Sequence, residues 1–424
     1  MKRNSLISAA VASATIMALS ACAGGAGGTA GASPGDGFEF GADQSVVDAA
    51  VEDLEPVTLR LSSDAPSEEA ANSASTLQFK EEIEEKSNGK ISIDIAWGHS
   101  VTGNAVDVPT ALADGRLDLS TGTLVYHPQE FPAYNGLNAL SRHVPSSPME
   151  GVVAAAGVLP EIAWQNETVM QEIEDAGLVA INPVFNTGEF FYFCGDKAKG
   201  NELSDWTGRQ VRAGTTLHSD LTTAMGAGTV SMEWMEVFEA LQRNTFDCTI
   251  TLATTAYPFG ILEVAPNISY PNESTFGGQG AAGLFAGSRF NDLPLAYQQI
   301  IFDAEPAFSD GNLKSIVNQH ALIIEDARAN GGEIKALPTD VEATHEQVWD
   351  DMLAEAVDAG YFTEDAVDLT QDSAAKWEAA VTELGIEDGG DFGTMDEWYD
   401  PDSVDFRPLT DQVYEEIMLP HRPS

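Results

Sequence analysis

The stretch LSDWTGRQVRAGTTLHSDLTTAMGAGTVSMEWMEVFEALQRNTFDCTIT, residues 203–251, contains the clearest secondary-structure pattern in the chain. A short strand ending at Arg212 is followed by apolar residues at helical spacing, and a Gly-Ala-Gly break separates that helix from a second strand at 229–232. A second amphipathic helix follows at 234–241, then a strand or loop at 246–252. This alternation predicts an α/β fold, in which Arg212 at a strand end is placed to meet a ligand.

The length and charge of the chain limit the classes of protein that it can be. Its 424 residues exceed one ordinary core of about 100–200 residues, so we expect two lobes. The net charge of −47 argues against a nucleic-acid partner, because phosphates would be repelled. The acidic residues are spread along the chain, which favours a solvated acidic surface, with a saline habitat as one explanation.

The first residues have the pattern of an exported lipoprotein. A positively charged pair precedes an apolar run at 7–19, and Leu-Ser-Ala-Cys ends at Cys22. This order is typical of a signal peptide, and the run is too short to span a membrane. We predict a signal peptide over 1–21, lipidation of Cys22 and a flexible tether over 22–56. The alternative is an ordinary signal peptide with a coincidental cysteine.

Three motifs in the opening stretch occur in a fixed order. They are Gly-Arg-Gln-Val-Arg at 208–212, Met-Gly-Ala-Gly-Thr-Val-Ser-Met at 225–232 and Glu-Val-Phe-Glu-Ala-Leu-Gln-Arg-Asn-Thr-Phe-Asp at 236–247. This region resembles the signature of the DctP-type solute-binding proteins of TRAP transporters, and the resemblance covers about 57–360. It implies a two-lobed, periplasmic-binding-protein-like α/β fold with a ligand cleft between the lobes.

Domain boundaries follow from the resemblance and from the alternation of elements. We predict that lobe I comprises residues 57–189 and 278–318. Lobe II is predicted to comprise residues 190–277 and 319–386, including a helical coat. Residues 387–424 form an extension whose sequence indicates no role.

Arg212 is the central candidate for ligand binding. A guanidinium presents a planar fork of donors that binds a carboxylate at two points and stays charged at biological pH. From spacing alone, an ordinary ion pair is the favoured interpretation. The resemblance implies instead that Arg212 holds the carboxylate of the substrate in the cleft between the lobes.

Three further candidates in lobe II come from the same resemblance. Trp234 occupies the place of a pocket aromatic, with ordinary core packing as an equal alternative. Thr251 stands where several family members have an asparagine that bonds the ligand. Tyr192 stands roughly where some members have a second arginine, which weakens the case for a dicarboxylate.

Other candidates are predicted from position alone, because each follows a strand of lobe I, although such residues are more often plain loop residues. They are Ser63, Asp64, His99, Tyr126, His127 and Asn186.

Two cysteines remain once Cys22 is assigned to lipid. Cys194 and Cys248 lie on strands that lead into and out of the Arg212 unit, and an oxidising compartment favours a disulfide between them. Two buried free thiols are the alternative, because a disulfide needs a geometry that sequence does not show.

Motifs of catalysis are missing from the sequence. No nucleophile elbow, zinc-protease helix, Walker loop or dinucleotide loop follows a strand, and the seven histidines show no metal-ligand spacing. We therefore predict no catalytic residues, no cofactor and no metal, although a site built from scattered carboxylates stays open.

The resemblance implies an extracytoplasmic solute-binding subunit, lipid-anchored at the outer face of the cytoplasmic membrane. It would capture a small organic acid and deliver it to the small and large integral subunits of a TRAP permease. The alternatives are the binding lipoprotein of an ATP-driven importer and a surface-anchored hydrolase that uses acidic residues.

Overall fold

The computed structural model describes residues 36–424 apart from positions 273, 364 and 402. The predicted signal peptide, the predicted lipidation site at Cys22 and the start of the predicted tether lie outside the described residues. The described residues form one compact unit.

The strands of the described chain are short and separated by helices. They are β1 (Val57–Ser62), β2 (Ile91–Ala96), β3 (Leu119–Gly122), β4 (Val179–Phe185), β5 (Phe190–Cys194), β6 (Gln210–Arg212), β7 (Gly228–Val230), β8 (Cys248–Leu252), β9 (Asn267–Tyr270), β10 (Ala282–Ala286) and β11 (Ile334–Ala336).

The helices range from single turns to a helix of 25 residues. They are α1 (Gln44–Val51), α2 (Ala74–Lys86), α3 (Val108–Ala113), α4 (Pro132–Gly136), α5 (Glu150–Trp164), α6 (Glu167–Asp175), α7 (Leu203–Trp206), α8 (Thr216–Ala224), α9 (Val237–Gln242), α10 (Ala253–Ala256), α11 (Leu295–Asp303), α12 (Glu305–Ala329), α13 (Thr339–Glu342), α14 (Glu346–Asp358), α15 (Ala366–Glu383), α16 (Met395–Trp398) and α17 (Arg407–Val413).

The strands form two separate sheets. The first has the order β2-β1-β3-β10-β4, with β1, β2 and β3 parallel and β10 antiparallel to both neighbours. The second has the order β11-β9-β5-β8-β6-β7, in which β5 alone runs against its neighbours β8 and β9. In parallel strands the carboxyl ends meet at one edge of the sheet, which is where ligands bind in open α/β sheets.

The two sheets have separate cores, which makes the molecule two-lobed. One large apolar cluster surrounds the first sheet. The second sheet is covered on both faces, and β5 shows this directly: Tyr192 and Cys194 face one cluster, while Phe191 and Phe193 face the other. Such alternation follows from the period of two in a strand. The α/β fold class predicted from the sequence is thus confirmed.

Four segments of the described chain connect the lobes, and the last of them is the return from β11 to α15, which packs on α5. The chain crosses from β4 to β5 through residues 186–189 and returns from β9 to β10 through residues 271–281. Helix α12 begins in the first core and ends with Ile323 and Ile324 in a core of the second sheet. These segments define the hinge region of the protein.

The predicted assignment of residues 366–386 to lobe II is wrong. Helix α15 packs against α5 in lobe I, with Trp377 fully buried over Gly157, where a Cβ atom would lie 2.3 Å from the indole ring. The indole Nε1 of Trp377 donates to the carboxylate of Glu161 at 2.8 Å. The apolar stripe of α15 has a helical period but no mark of which lobe it covers, so sequence pattern could not assign it.

The predicted tether is also too long at its carboxyl end. Helix α1 packs Val47, Ala50 and Val51 into the core of lobe I, so this part of residues 22–56 belongs to the folded lobe. The C-terminal extension joins the same core through Val413 and Tyr414. Lobe I is therefore completed by segments from both ends of the chain.

Candidate functional site

Arg212 lies at the carboxyl end of β6, on an inner strand of the second sheet. It pairs with Val230 on one side and Thr249 on the other. Its Nε and Nη2 donate to the carbonyl oxygen of Met232, at 3.2 and 3.1 Å. A Cβ atom on Gly214 would lie 3.0 Å from Nη1, so a larger residue at that position would crowd the guanidinium. The backbone thus holds one side of the guanidinium and leaves the Nη1 donors for a ligand.

The charge of Arg212 has no carboxylate partner within ion-pair distance in the described part of the chain. Burial lowers the pKa of Arg212, whereas the nearby Tyr126 and Glu233 raise it. Arginine nevertheless remains protonated in proteins. A half-buried, unpaired guanidinium at a strand end has the chemistry to bind an anionic group.

Aromatic residues stand beside this cation. The guanidinium carbon lies 5.4 Å from the ring centroid of Trp234, which is within cation–π range. The Trp234 ring meets Phe259 edge-on at 5.7 Å, and its Nε1 is buried without a hydrogen-bond partner in the described chain. Trp234 thus belongs both to the site and to the edge of a core.

Thr251 lies at the carboxyl end of β8, two residues beyond Thr249, and is 6% exposed. Thr249 pairs with Arg212 in the neighbouring strand, so the side chains of Arg212, Thr249 and Thr251 share one face of the sheet. The structure therefore brings Arg212, Trp234 and Thr251 to the same edge.

Tyr126 approaches this edge from lobe I. It ends the short 3₁₀ turn Leu124–Tyr126 that follows β3. Burial of the hydroxyl raises its pKa, and the charge of Glu233 raises it further, while Arg212 lowers it. The residue is also 41% exposed. A side chain that is surrounded by protein charges and still reached by solvent lies in an open cleft, and here that cleft separates the two lobes.

His218 is a site neighbour that the sequence did not indicate. Its Nδ1 lies 2.9 Å from the Thr215 hydroxyl, its Nε2 lies 3.4 Å from the carbonyl of Gly277, and its ring packs on Phe190. Burial lowers its pKa to about 4, and the positive charge of Arg212 also lowers it. His218 is therefore neutral near pH 7 and leaves Arg212 as the positive charge of this pair. A single histidine in the first turn of a helix gives no signal in sequence.

Glu233 was also missed, although it stands directly before Trp234. It is exposed and follows β7, the strand next to β6. A strand-end rule applied to β7 as well as to β6 would have found it.

Tyr192 is not a ligand contact in this structure. It is 0% exposed, its hydroxyl bonds the Thr222 hydroxyl at 2.8 Å, and its ring packs on Trp206 and Phe276. The reason is its place in the middle of β5, on the face opposite to Phe191. Phe191, and not Tyr192, pairs with Thr251 and shares its face of the sheet.

Three of the lobe I candidates are used by their own lobe. The Ser63 hydroxyl bonds that of Thr76 at 2.8 Å. The Asn186 Nδ2 donates to the carbonyl of Val152 at 2.7 Å, within the hinge region. The His127 Nε2 lies 2.8 Å from the carbonyl of Val106. These positions are strand ends, but their polar atoms complete the local backbone and the prediction of ligand contact is not supported for them.

His99 and Asp64 remain at the cleft-facing edge of lobe I. His99 Nδ1 lies 3.2 Å from the hydroxyl of Ser62, and its backbone has a left-handed φ of 52°. Burial lowers the pKa of His99, and the charge of Asp64 opposes this. A non-glycine residue held in this conformation is unusual and is found at functional sites.

A disulfide joins Cys194 on β5 to Cys248 on β8, directly behind the Arg212 strand. Val211 pairs with Cys248 in the next strand, so the bond supports the strand that presents Arg212.

The described residues contain no cluster of three or more His, Cys, Asp or Glu side chains that could hold a metal ion. In residues 36–424, apart from the three undescribed positions, no helix is both long and apolar enough to cross a membrane.

Comparisons with known proteins agree with this architecture. Residues 61–361 match the model of the family of bacterial extracellular solute-binding proteins, family 7, named DctP. This match covers most of the chain, and the chain belongs to that family, the DctP-type solute-binding proteins of TRAP transporters.

Individual relatives are distant. A solute-binding protein of Albidiferax ferrireducens is 25% identical over 236 residues, which span 54% of this chain and 60% of that relative. A TRAP solute-binding protein from a marine metagenome, solved with 3-hydroxybenzoate, has a TM-score of 0.64 at 20% identity over 76% of this chain and 99% of its own.

Two further solved structures share the fold. The TRAP solute-binding protein of Rhodoferax ferrireducens, solved with copurified benzoate, has a TM-score of 0.64 at 15% identity, over 77% of this chain and 99% of its own. The protein of a Sulfitobacter species, solved with β-D-galacturonate, has a TM-score of 0.61 at 20% identity, over 74% of this chain and 100% of its own. The family and these neighbours are solute-binding proteins.

Proposed function

We propose that this protein captures a small organic acid by its carboxylate and delivers it to the membrane subunits of a TRAP permease. The unpaired guanidinium of Arg212 at the interlobe edge carries this proposal. The neighbouring structures support it, because benzoate, 3-hydroxybenzoate and galacturonate are all carboxylates.

The proposed mechanism is closure of the lobes on the ligand. A carboxylate on the free Nη1 side of Arg212 would exchange water for a charge-assisted bond, and exclusion of water from the cleft strengthens that bond. Tyr126 from lobe I would then cover the ligand from the opposite side. Binding energy that is gained only in the closed form shifts the population toward it. The closed form is the one that the permease would recognise.

The location is part of the same proposal. A lipid on Cys22 would hold the protein at the outer face of the cytoplasmic membrane, with the residues before α1 as the tether. The proposed function requires no cofactor and no catalytic residue. Neither the ATP-driven importer nor the hydrolase is favoured by a specific contact in the described chain.

The test is a thermal-shift screen of the mature chain, carrying Cys22→Ser, against organic acids and their neutral amides. A ligand that binds only the folded state stabilises it by roughly 2.7 kcal/mol at a hundredfold excess over Kd. We expect an acid to raise the melting temperature while its amide does not. Arg212→Ala should weaken binding by roughly a hundredfold, and Arg212→Lys by less, because a lysine cannot bind at two points.

Arg243→Ala is the matched control for this screen. Arg243 is the exposed residue that directly follows α9, and within the described chain its ion pair is with Glu239 of that helix, so its removal should leave binding unchanged. The proposal fails if Arg212→Ala binds as tightly as the wild type, or if acids and amides stabilise the protein equally.

A further inference from the structure

Glu233 stands between the two residues that contact the guanidinium of Arg212. The carbonyl of Met232 accepts hydrogen bonds from Nε and Nη2 of Arg212. The ring centroid of Trp234 lies 5.4 Å from the guanidinium carbon of Arg212. The backbone of Glu233 is extended, with φ −59° and ψ 138°. Glu233 is therefore held next to the proposed carboxylate site by its two neighbours, through the backbone carbonyl of Met232 and the side-chain ring of Trp234.

The carboxylate of Glu233 is exposed, and it forms no ion pair or hydrogen bond within the described chain. Its charge nevertheless acts on Arg212 and on Tyr126 across the cleft. Within the described chain the guanidinium bonds the Met232 carbonyl and forms no ion pair with Glu233. The site thus holds one positive and one negative group that are both free for a ligand.

The charge balance of the cleft points in the same direction. Glu233 lies on the lobe II edge and the exposed Asp64 lies on the lobe I edge, while His218 is neutral. The whole chain carries −47. An anion approaching this cleft is repelled at long range, whereas a ligand without net charge is not.

We propose that the ligand is a zwitterionic amino acid, with its carboxylate on Arg212 and its ammonium group on Glu233. This inference rests on the proposed function and narrows it to one class of acid. If the lobes closed on an acid that lacks the amino group, the carboxylate of Glu233 would be covered by the ligand without a counter-charge. Burial of an unpaired charge is costly. Glu233 then determines specificity, and Arg212 provides the common carboxylate anchor.

Isothermal titration of the mature Cys22→Ser chain tests this with matched ligand pairs. The probes are the protein amino acids, β-alanine and 4-aminobutanoate, each paired with the hydroxy acid that replaces its amino group. We expect at least one amino acid to bind at least roughly tenfold more tightly than its hydroxy partner. Glu233→Gln should remove most of that preference by weakening the amino acid and not the hydroxy acid.

Glu236→Gln is the control, because Glu236 is exposed on the same segment, one turn further along the chain. It should preserve the preference, and both variants should keep the melting temperature of the wild type without ligand.

The outcomes separate the two proposals. If hydroxy or plain acids bind as tightly as amino acids and Glu233→Gln leaves the ratio unchanged, the zwitterion inference is wrong and the carboxylate function stands. If neither the amino acids nor the acids bind, the carboxylate function itself fails and this inference fails with it.

Discussion

The cleft-facing edges of the two sheets differ in what their side chains already do. At the edge of lobe II, Arg212 and Glu233 keep their charges free of partners in the described chain. At the edge of lobe I, Ser63 and Asn186 are bonded within their own lobe or the hinge. A strand-end position is therefore not enough to make a binding residue. The polar atoms of the side chain must also be free of hydrogen bonds to the local backbone.

The lobes also differ in how they are held together. Lobe II has two smaller cores on either side of its sheet and the Cys194–Cys248 bond between its strands. Lobe I has one large core that takes in α1 and the C-terminal segment. Lobe II is thus stabilised by a covalent bond, and lobe I by the return of the chain ends.

Removal of the disulfide should give the largest loss of stability. The bond closes a loop between residues 54 apart in sequence, and the chain-entropy model assigns such a loop about 4 kcal/mol. We expect the double variant Cys194→Ser, Cys248→Ser to lose most of this stabilisation, as measured by urea unfolding. A reducing agent should lower the melting temperature of the wild type and leave the double variant unchanged. Equal melting temperatures of wild type and variant would show that lobe II does not depend on the bond.

Arg422→Gln should give the largest effect in lobe I. Arg422 and Asp303 form a two-point ion pair at 2.7 and 2.8 Å, with side chains only 9% and 4% exposed, and Arg422 also donates to the carbonyl of Phe38. Loss of the arginine leaves a buried carboxylate without its counter-charge, which costs roughly 3 kcal/mol. Urea unfolding of the wild type and the variant measures this loss of unfolding free energy.

The control for this pair is Arg243→Gln, which breaks an exposed ion pair and should change the free energy of unfolding by less than about 0.5 kcal/mol. Equal effects of the two variants would mean that the C-terminal segment does not secure lobe I.

Glu305→Gln should change the pH dependence of stability. Burial raises the pKa of Glu305 to about 7, although Ser309 and Asn182 donate to its carboxylate. Between pH 4.5 and pH 7 the folded protein keeps a proton that the unfolded chain has lost, so this group contributes less stability as pH rises. The free energy of unfolding of the variant, relative to that of the wild type, should rise by roughly 2 kcal/mol from pH 5 to pH 8. Urea unfolding at both pH values measures this difference. A constant difference between variant and wild type would contradict this.

The smallest expected effect tests the division of roles between the lobes. Trp234→Ala removes the ring beside Arg212 and should weaken ligand binding by roughly tenfold. Tyr126→Phe removes only the hydroxyl that reaches the site from lobe I, and should weaken it by about threefold. Titration with the acid found in the thermal-shift screen measures both. A larger loss for Tyr126→Phe than for Trp234→Ala would reverse the roles of the lobes.

Local pattern predicted the elements around Arg212 well. The strand at its position, the helix after it and the return strand at 246–252 all occur, the last as Cys248–Leu252. The predicted strand at 229–232 ends earlier, at Val230, because the chain turns there so that the Met232 carbonyl can bond Arg212. Strand periodicity could not show this, since the bond joins Arg212 at the end of β6 to the backbone of Met232, which lies beyond the end of β7.

The site was predicted in part. Arg212, Trp234 and Thr251 lie at one edge of the second sheet, and the family resemblance implies a ligand-binding role for all three. Tyr192 was assigned wrongly because both faces of the second sheet are covered. The strand sequence then shows no alternation of polar and apolar residues that would tell the two faces apart. His218 was missed because its importance comes from proximity to Arg212, and Glu233 because the strand-end rule was not applied to β7.

By itself the sequence determined the α/β alternation, the family and the arginine at a strand end, because these depend on residue periodicity and short-range spacing. Only the tertiary structure decided that α15 and both chain ends complete lobe I, that Tyr192 is core, and that Glu233 lies free beside Arg212. Those facts depend on which distant surfaces pack together and which polar atoms remain unsatisfied afterwards. Neither is encoded in a local pattern.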